Sequence, residues 1–359
     1  MGKHGPGDDT RGIGDIPTEV TLERVLSALE GLGFDALEGT DRVVVPAHFH
    51  TATVWVNHEK PLMLVVDSQQ RVPVDFEHGA PLARFINEWN HDHVGPSASY
   101  RLADAGDFDV RLRSGIRTKH GLTDEQLLLE LADCLEHMAS FSLQLRERFL
   151  PIGFDHPLPP TLLRAQDTEV LLGRHPRERH LPRGGSQAIG DAPDPFSRAP
   201  REPDHPDSVV GLLPTQRVGM DEVEDTFDTL DFAYALTPEE VLATGINGVP
   251  FAVCIDAESY VRVTSMWDTG RTQPADFLPL WLICNGVNEM SSGLRAYLHE
   301  LDGSLHVHVE TTCMVGAGLS PGQLHNYMLT SLVAVLGAVD AISTQIQGTS
   351  AVRWPTSGG

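Results

Sequence analysis

Paired cysteines are missing from this sequence. It has four, Cys134, Cys254, Cys284 and Cys313, none in a C-x-x-C pair and all inside apolar periodic segments. That spacing excludes a disulfide framework or a zinc ribbon and leaves small core residues in a reducing compartment. Basic residues are also few: 26 Lys and Arg against 50 Asp and Glu give a net charge of −24. A field of that sign repels a phosphate backbone, which speaks against nucleic acid and anionic membranes as partners. Long apolar runs are scarce. The most apolar one, Leu329 to Val339, falls far short of the roughly 20 residues of a membrane span. The stretch Met1 to Asp15 is polar and glycine-bearing, without the apolar segment of a signal peptide. A soluble cytoplasmic protein is therefore expected. No Walker loop, G-x-S-x-G elbow or H-E-x-x-H pattern is present either.

The sequence does contain a duplication. Val20, Val25, Leu32 and Phe34 return 198 positions later as Val218, Val223, Leu230 and Phe232, and Leu82, Asn87 and Asn90 return as Leu280, Asn285 and Asn288. A deletion then shifts the offset to 197, which matches Tyr100, Gly106, Val110, Gly121, Leu122, Gln126 and Leu127 with Tyr297, Gly303, Val307, Gly318, Leu319, Gln323 and Leu324. A register held this long marks an internal repeat. A length of 359 residues with 41% hydrophobic composition supports two domains, each with its own core. The expected divisions are a disordered N-terminus (1–16), a first domain (17–149), a linker rich in proline, arginine and glycine (150–213), a second domain (214–347) and a disordered tail (348–359).

Hydrophobic spacing gives each copy the same element order. In the first copy a helix through Leu22, Val25, Leu26, Leu29 and Leu32 ends at Gly31 and Gly33. β-rich runs follow at Arg42–Pro46, Thr51–Asn57 and Leu62–Asp67, then a helix from Pro81 through Trp89 to Asn90. Strands at Ser99–Ala103 and Asp107–Arg113 precede a long helix from Thr123 to about Phe149. In the second copy Asn247-Gly248 separates two β-rich runs, the signature of a type I′ turn. Tyr260–Ser265 is its third strand, and a helix over Ala275–Asn288 precedes strands at Leu294–Glu300 and Ser304–Glu310. Thr123-Asp-Glu-Gln126 and Ser320-Pro-Gly-Gln323 are capping boxes, in which hydroxyl and glutamine satisfy two free backbone N–H groups. Pro321 fits a first helical turn. The last helices carry matching stripes: Leu127, Leu131, Leu135, Met138 and Leu145 against Leu324, Met328, Leu332, Val335 and Ile342. In the linker, Leu162–Leu172 has the apolar content of a short helix, and Gly173–Pro206 lacks periodicity and is expected to be disordered. Its cluster Arg174, Arg177, Arg179 and Arg183 is expected to be solvated.

Asparagines close the middle helix of each copy, and Gly-Leu-Thr or Gly-Leu-Ser leads into the last one. With Phe85-Ile-Asn-Glu-Trp-Asn90 and an aromatic strand at Tyr100, this order resembles the YbjN family, although Val287 replaces Trp89 in the second copy. The resemblance implies an α+β fold similar to that of type III secretion chaperones: two tandem α/β sandwiches, each α-β-β-β-α-β-β-α with an antiparallel sheet. It also implies a regulator of sensory transduction or stress responses without an agreed enzymatic activity. Secretion chaperones of this fold dimerise and bind extended segments of clients, but fold alone does not carry function across.

Asn87, Asn90, Asn285 and Asn288 are the polar pair kept in both copies. At i and i+3 they share a helical face and form a candidate ligand or partner contact. The structural alternative is a helix stop, with one asparagine left-handed and the other bonding backbone carbonyls. His306, His308 and Glu310 share one strand face and have metal-ligand chemistry. Their counterparts Asp109, Arg111 and Arg113 point instead to a polar face that accepts any charge. His91 and His93, matched by Glu289 and Ser291, gain no support from the repeat, nor do His48 and His50. Gly316-Ala-Gly318 lacks the third glycine of a dinucleotide turn. No catalytic, cofactor-binding or metal-ligating residue is assigned. The expected function is a non-enzymatic regulatory or chaperone-like protein that binds protein partners, with an intramolecular pseudo-dimer or a homodimer as its assembly. The alternative is an enzyme, or a metal- or small-molecule-binding protein, with its site between the unlike domains.

Overall fold

A computed structural model describes residues 13–58, 61–149, 213–256 and 259–354. The expected helix at Leu162–Leu172, the disordered stretch Gly173–Pro206 and the arginine cluster lie outside the described residues.

The first unit runs α1 (Leu22–Gly31), β1 (Leu37–Glu38), β2 (Val43–Pro46), β3 (His50–Asn57), β4 (Met63–Gln70), α2 (Gly79–Asp92), β5 (Ser97–Leu102), β6 (Phe108–Arg117) and α3 (Asp124–Phe149). The second repeats it as α4 (Met220–Thr229), β7 (Ala235–Leu236), β8 (Leu242–Ile246), β9 (Val249–Asp256), β10 (Tyr260–Arg271), α5 (Phe277–Met290), β11 (Arg295–Leu301), β12 (Ser304–Met314) and α6 (Pro321–Gln347). Each unit holds one six-stranded sheet, ordered β1-β2-β3-β4-β6-β5 and β7-β8-β9-β10-β12-β11. Every pairing is antiparallel. The fold is α+β, two antiparallel α/β sandwiches in tandem. The two-residue strands β1 and β7 are too short to leave a periodic signal, and the sequence pattern misses them.

Alternation builds the sheets. Phe108, Val110 and Leu112 point into the core from β6, while Asp109, Arg111 and Arg113 point away. All ten residues of the two matched stripes on α3 and α6 are buried against the sheets. Burying each of these side chains contributes roughly 1.5–3 kcal/mol. Helix α6 is long and apolar enough to cross a membrane by length and composition, an extent the Leu329–Val339 run understates. Met328, Leu332, Val335, Val339 and Ile342 form its buried stripe within the second unit.

Turns follow their chemistry. Asn247 and Gly248 both have positive φ, as the expected type I′ hairpin requires. Asp302 and Gly303 form a second two-residue turn of this kind, joining β11 to β12, where the first unit uses a loop one residue longer, Asp104–Gly106, closed by the Ala103 N–H on the Asp107 carbonyl. The one-residue deletion therefore sits in this hairpin loop, one turn later than the sequence match places it. Ala98 corresponds to Ala296 and Tyr100 to Leu298, each at offset 198, and the match of Tyr100 with Tyr297 is corrected.

The expected disordered tail is corrected over its described part. Gly348 caps α6 in the left-handed conformation, Ser343 Oγ accepts from the Ala351 N–H, the Arg353 N–H donates to the Asn247 carbonyl, and Val352 is buried. Near the N-terminus, the Gly14 N–H donates to the Thr215 carbonyl and the Thr215 N–H to the Asp15 carbonyl, tying residues 14 and 15 to the second unit.

Candidate functional site

Helices α2 and α5 each lie between the edge strands of both sheets. At these edges the four asparagines come together. Asn90 Nδ2 donates to the Ala98 carbonyl at 2.9 Å and its Oδ1 accepts from the Ala98 N–H at 2.8 Å. Asn288 grips Ala296 in the same way at 2.8 and 2.7 Å. Those two clamps stay within a unit. The other two cross: Asn87 grips the N–H and carbonyl of Leu298, and Asn285 grips those of Tyr100, at 2.7–2.9 Å. An amide presents one donor and one acceptor side by side, matching the outward N–H and C=O of a single edge-strand residue. Each outer strand, β5 and β11, thus receives one clamp from its own unit and one from the other. The backbone groups that would template another strand are occupied.

All four asparagines are buried, and each amide is committed to backbone at both ends. The helix-stop alternative fails in one respect. None of the four is left-handed, and the helices end in extended residues, His93 and Ser291.

The capping boxes form and also meet each other. Gln126 Oε1 accepts from the Thr123 N–H, and Gln323 Oε1 from that of Ser320, both at 2.8 Å. Gln126 Nε2 donates to the Gly318 carbonyl and to Gln323 Oε1, while Gln323 Nε2 donates to the Gly121 carbonyl and to Gln126 Oε1. Gly121 and Gly318 both have φ of +71°, and a Cβ on either would stand 2.4 Å from a carbonyl oxygen, Thr18 or Gln216. Only glycine fits such a position, which accounts for the glycine that opens both Gly-Leu-hydroxyl motifs.

The C-terminal ends of α2 and α5 reach over the outer sheet face of the opposite unit. Glu289 of α5 lies in the field of Arg101, Arg111 and Arg113, whose charges oppose the upward push that burial gives its carboxyl pKa. Arg113 Nη1 also donates to the Glu289 carbonyl. At the equivalent place His91 of α2 stacks on His299, ring centroids 4.9 Å apart. These contacts correct the reading of residues 306–310 as a face that accepts any charge. Arg101, Arg111 and Arg113 face Glu289, while in the second unit His308 lies in the field of His91 and Arg295, paired with Glu310, holds the His93 carbonyl. Comparing the copies with each other compares the right positions without their partners.

Glu310 is almost wholly buried. Arg295 Nε and Nη2 donate to its Oε1 and the Tyr297 hydroxyl to its Oε2, with Arg262 close by. Burial raises its pKa, but Arg295 and Arg262 outweigh that and hold the carboxylate below its usual range. Arg295 Nη1 donates to the His93 carbonyl of the first unit. With Glu310 so engaged, residues 306–310 are no open ligand set, and no group of His, Cys, Asp and Glu among the described residues has an arrangement that could hold a metal. His50 is likewise structural: its Nδ1 meets the Ser142 hydroxyl, and burial, then Arg71, lowers its pKa to about 4.

Close approach of the units is written in Gly115, where a Cβ would stand 2.3 Å from the Ser292 carbonyl oxygen. Beyond it a cleft of about 30 Å³, bordered by Arg117, Glu130, Cys313 and Tyr327, runs between the units. Tyr260 of the second unit donates to Asp133 of the first. Burial, reinforced by Asp133, pushes the Glu130 carboxyl up to about 8. Sequence reasoning missed Gly115, Arg295, Tyr297 and Glu130. Apart from the strand periodicity of Tyr297, nothing local distinguishes them.

No curated protein matches the chain. Among solved structures it is similar to a crystal structure of YbjN from E. coli, described as "a putative transcription regulator", at 16% identity and a TM-score of 0.33, covering 37% of this chain and 100% of that one. The model of the YbjN family, described as "Putative bacterial sensory transduction regulator", matches residues 21–147, and over that span the chain is a YbjN domain.

Proposed function

We propose that this chain is a non-enzymatic regulatory or chaperone-like protein that acts in the cytoplasm by binding protein partners, in sensory transduction or a stress response. Its second unit is read as a further YbjN-like domain, and the two units as an intramolecular pseudo-dimer. The reciprocal asparagine clamp carries this reading. A contact in which Asn87 grips Leu298 and Asn285 grips the corresponding Tyr100 is isologous, the form a twofold dimer takes. The description of the YbjN family supports a regulatory role. Leu278, Leu282 and Met290, exposed along α5 where α2 carries Ala80, Arg84 and Asp92, support protein binding by one copy in particular.

Two experiments test the reading. Separately expressed 13–149 and 213–354 should combine one to one in light scattering; halves that stay monomeric and ignore each other overturn the pseudo-dimer. Cross-linked pull-down of the full chain from native lysate should return a specific protein partner, and an empty result counts against the binding role.

A second reading is a ligand site between unlike units, at the cleft beside Glu130. Its small volume holds water rather than a metabolite, since small-molecule pockets run to several hundred Å³. Stoichiometric metal in the purified protein would favour this second reading over the first.

A further inference from the structure

Four rings close a cycle where the two units meet. His91 of the first unit stacks on His299 (4.9 Å between centroids, 6° between planes), and His299 meets His308 edge-on at 5.6 Å. His308 stacks on Tyr297 at 5.1 Å, and Tyr297 meets His91 edge-on at 5.4 Å. His306 stands beside them on β12, its Nε2 3.9 Å from Asp268 Oδ1. Nitrogens His308 Nε2 and His306 Nδ1 are buried with no hydrogen-bond partner among the described residues. An imidazole stacked face to face on another is stable when both are neutral; two protonated rings at that distance repel. The carboxylates at its border are already engaged, Asp92 with His91 and Glu310 with Arg295 and Tyr297.

We propose that the His91–His299–His308 cluster is an acid-responsive latch: protonation drives the end of α2 off β11 and frees the edge strand that Asn87 holds. It rests on the reading of the two units as an intramolecular pseudo-dimer. The groups facing the cluster come from five elements. Helix α2 brings Asp92, whose Oδ1 lies 2.6 Å from His91 Nδ1, and His93. Strand β11 brings Arg295, β12 brings His306 and Glu310, and β10 brings Asp268 and Arg262. His137 of α3 adds a further positive influence on His93. Asp92 favours protonation of His93 and Glu310 that of His308, although Glu310 is itself paired with Arg295 and Arg262.

The direction follows from the sites. Burial, then His91 and His306, lowers the pKa of His299. His308 is lowered to about 4, chiefly by burial. Groups held below their unfolded value stabilise the closed form above about pH 6.5, and that contribution is lost as pH falls from there toward 4.

Amide hydrogen exchange of the full chain tests the proposal, with rates corrected for intrinsic pH dependence. The Leu298 N–H, held by Asn87, reports the latch, and Val253 within β9 reports the second sheet. Between pH 7.5 and pH 5, protection at Leu298 should fall at least tenfold while Val253 keeps its own. His91→Gln, at an exposed position, should lessen that fall, and His299→Gln with His308→Gln should abolish most of it. Equal protection of Leu298 at both pH values overturns the latch, as does the same fall in the variants. Joint loss at Leu298 and Val253 signifies global acid unfolding and also overturns it. An unprotected Leu298 already at pH 7.5 overturns the interface reading itself, and the latch with it.

Discussion

Gln126 and Gln323 hold each other across the two units, each side-chain amide donating to the other's oxygen, at 3.1 and 3.0 Å. Each also closes the capping box of its own helix. Truncating either leaves a buried partner unsatisfied, which costs about 1–3 kcal/mol. In a double-mutant cycle, Gln126→Ala and Gln323→Ala should be non-additive by about 0.5–2 kcal/mol in urea denaturation. Additivity within about 0.3 kcal/mol would show that the two amides do not interact.

Asn285→Ala strips the Tyr100 N–H and carbonyl of their partner, the second of two clamps on β5. Two lost hydrogen bonds at a buried edge should lower stability by roughly 2–4 kcal/mol. Asn285→Asp should be no better, because a carboxylate accepts from the N–H but repels the carbonyl. Denaturant titration of both variants checks the order; a wild-type midpoint for Asn285→Ala would remove the clamp from the list of stabilising contacts.

Gly115 and Gly106 separate contact from backbone strain. Gly106 has φ of +92° with nothing near its missing Cβ, so Gly106→Ala meets only the left-handed penalty of about 1–2 kcal/mol. Gly115→Ala drives a methyl into the Ser292 carbonyl across the interface. It should lower Tm by more than Gly106→Ala does; the reverse order would mean that the units do not approach at Gly115.

Glu130 predicts a dependence on alkaline pH. A carboxyl raised to about 8 stabilises the fold below its ordinary value near 4.5, and that contribution is lost as pH climbs through 8. Glu130→Gln mimics the protonated form. Its Tm relative to wild type should therefore rise between pH 5 and pH 8.5, and a constant difference across that range would place Glu130 in solvent.

Much of the fold is legible in the sequence, for local reasons. The stripes of α3 and α6, the alternation of β6, the Asn247-Gly248 turn and the two capping boxes all depend on residues a few positions apart. The site is less legible. Asn87 and Asn285 stand out in the repeat, yet their partners lie 211 and 185 residues away. Tyr100 and Tyr297 look equivalent because one deletion brings two tyrosines near the same position, and only strand pairing shows that the deletion falls in the Asp302-Gly303 turn.

The sequence by itself determined that one scaffold is present twice, with its core faces, turns and caps, because those follow from side-chain period and backbone preference. Only the tertiary structure decided what the repeated asparagines do. An amide donates and accepts equally well to a ligand, a helix end or a strand, and the choice is made by whichever backbone edge is packed against it. The same holds for His91 and Glu289: the repeat aligns them with each other, and packing sets each against the strand face of the opposite unit.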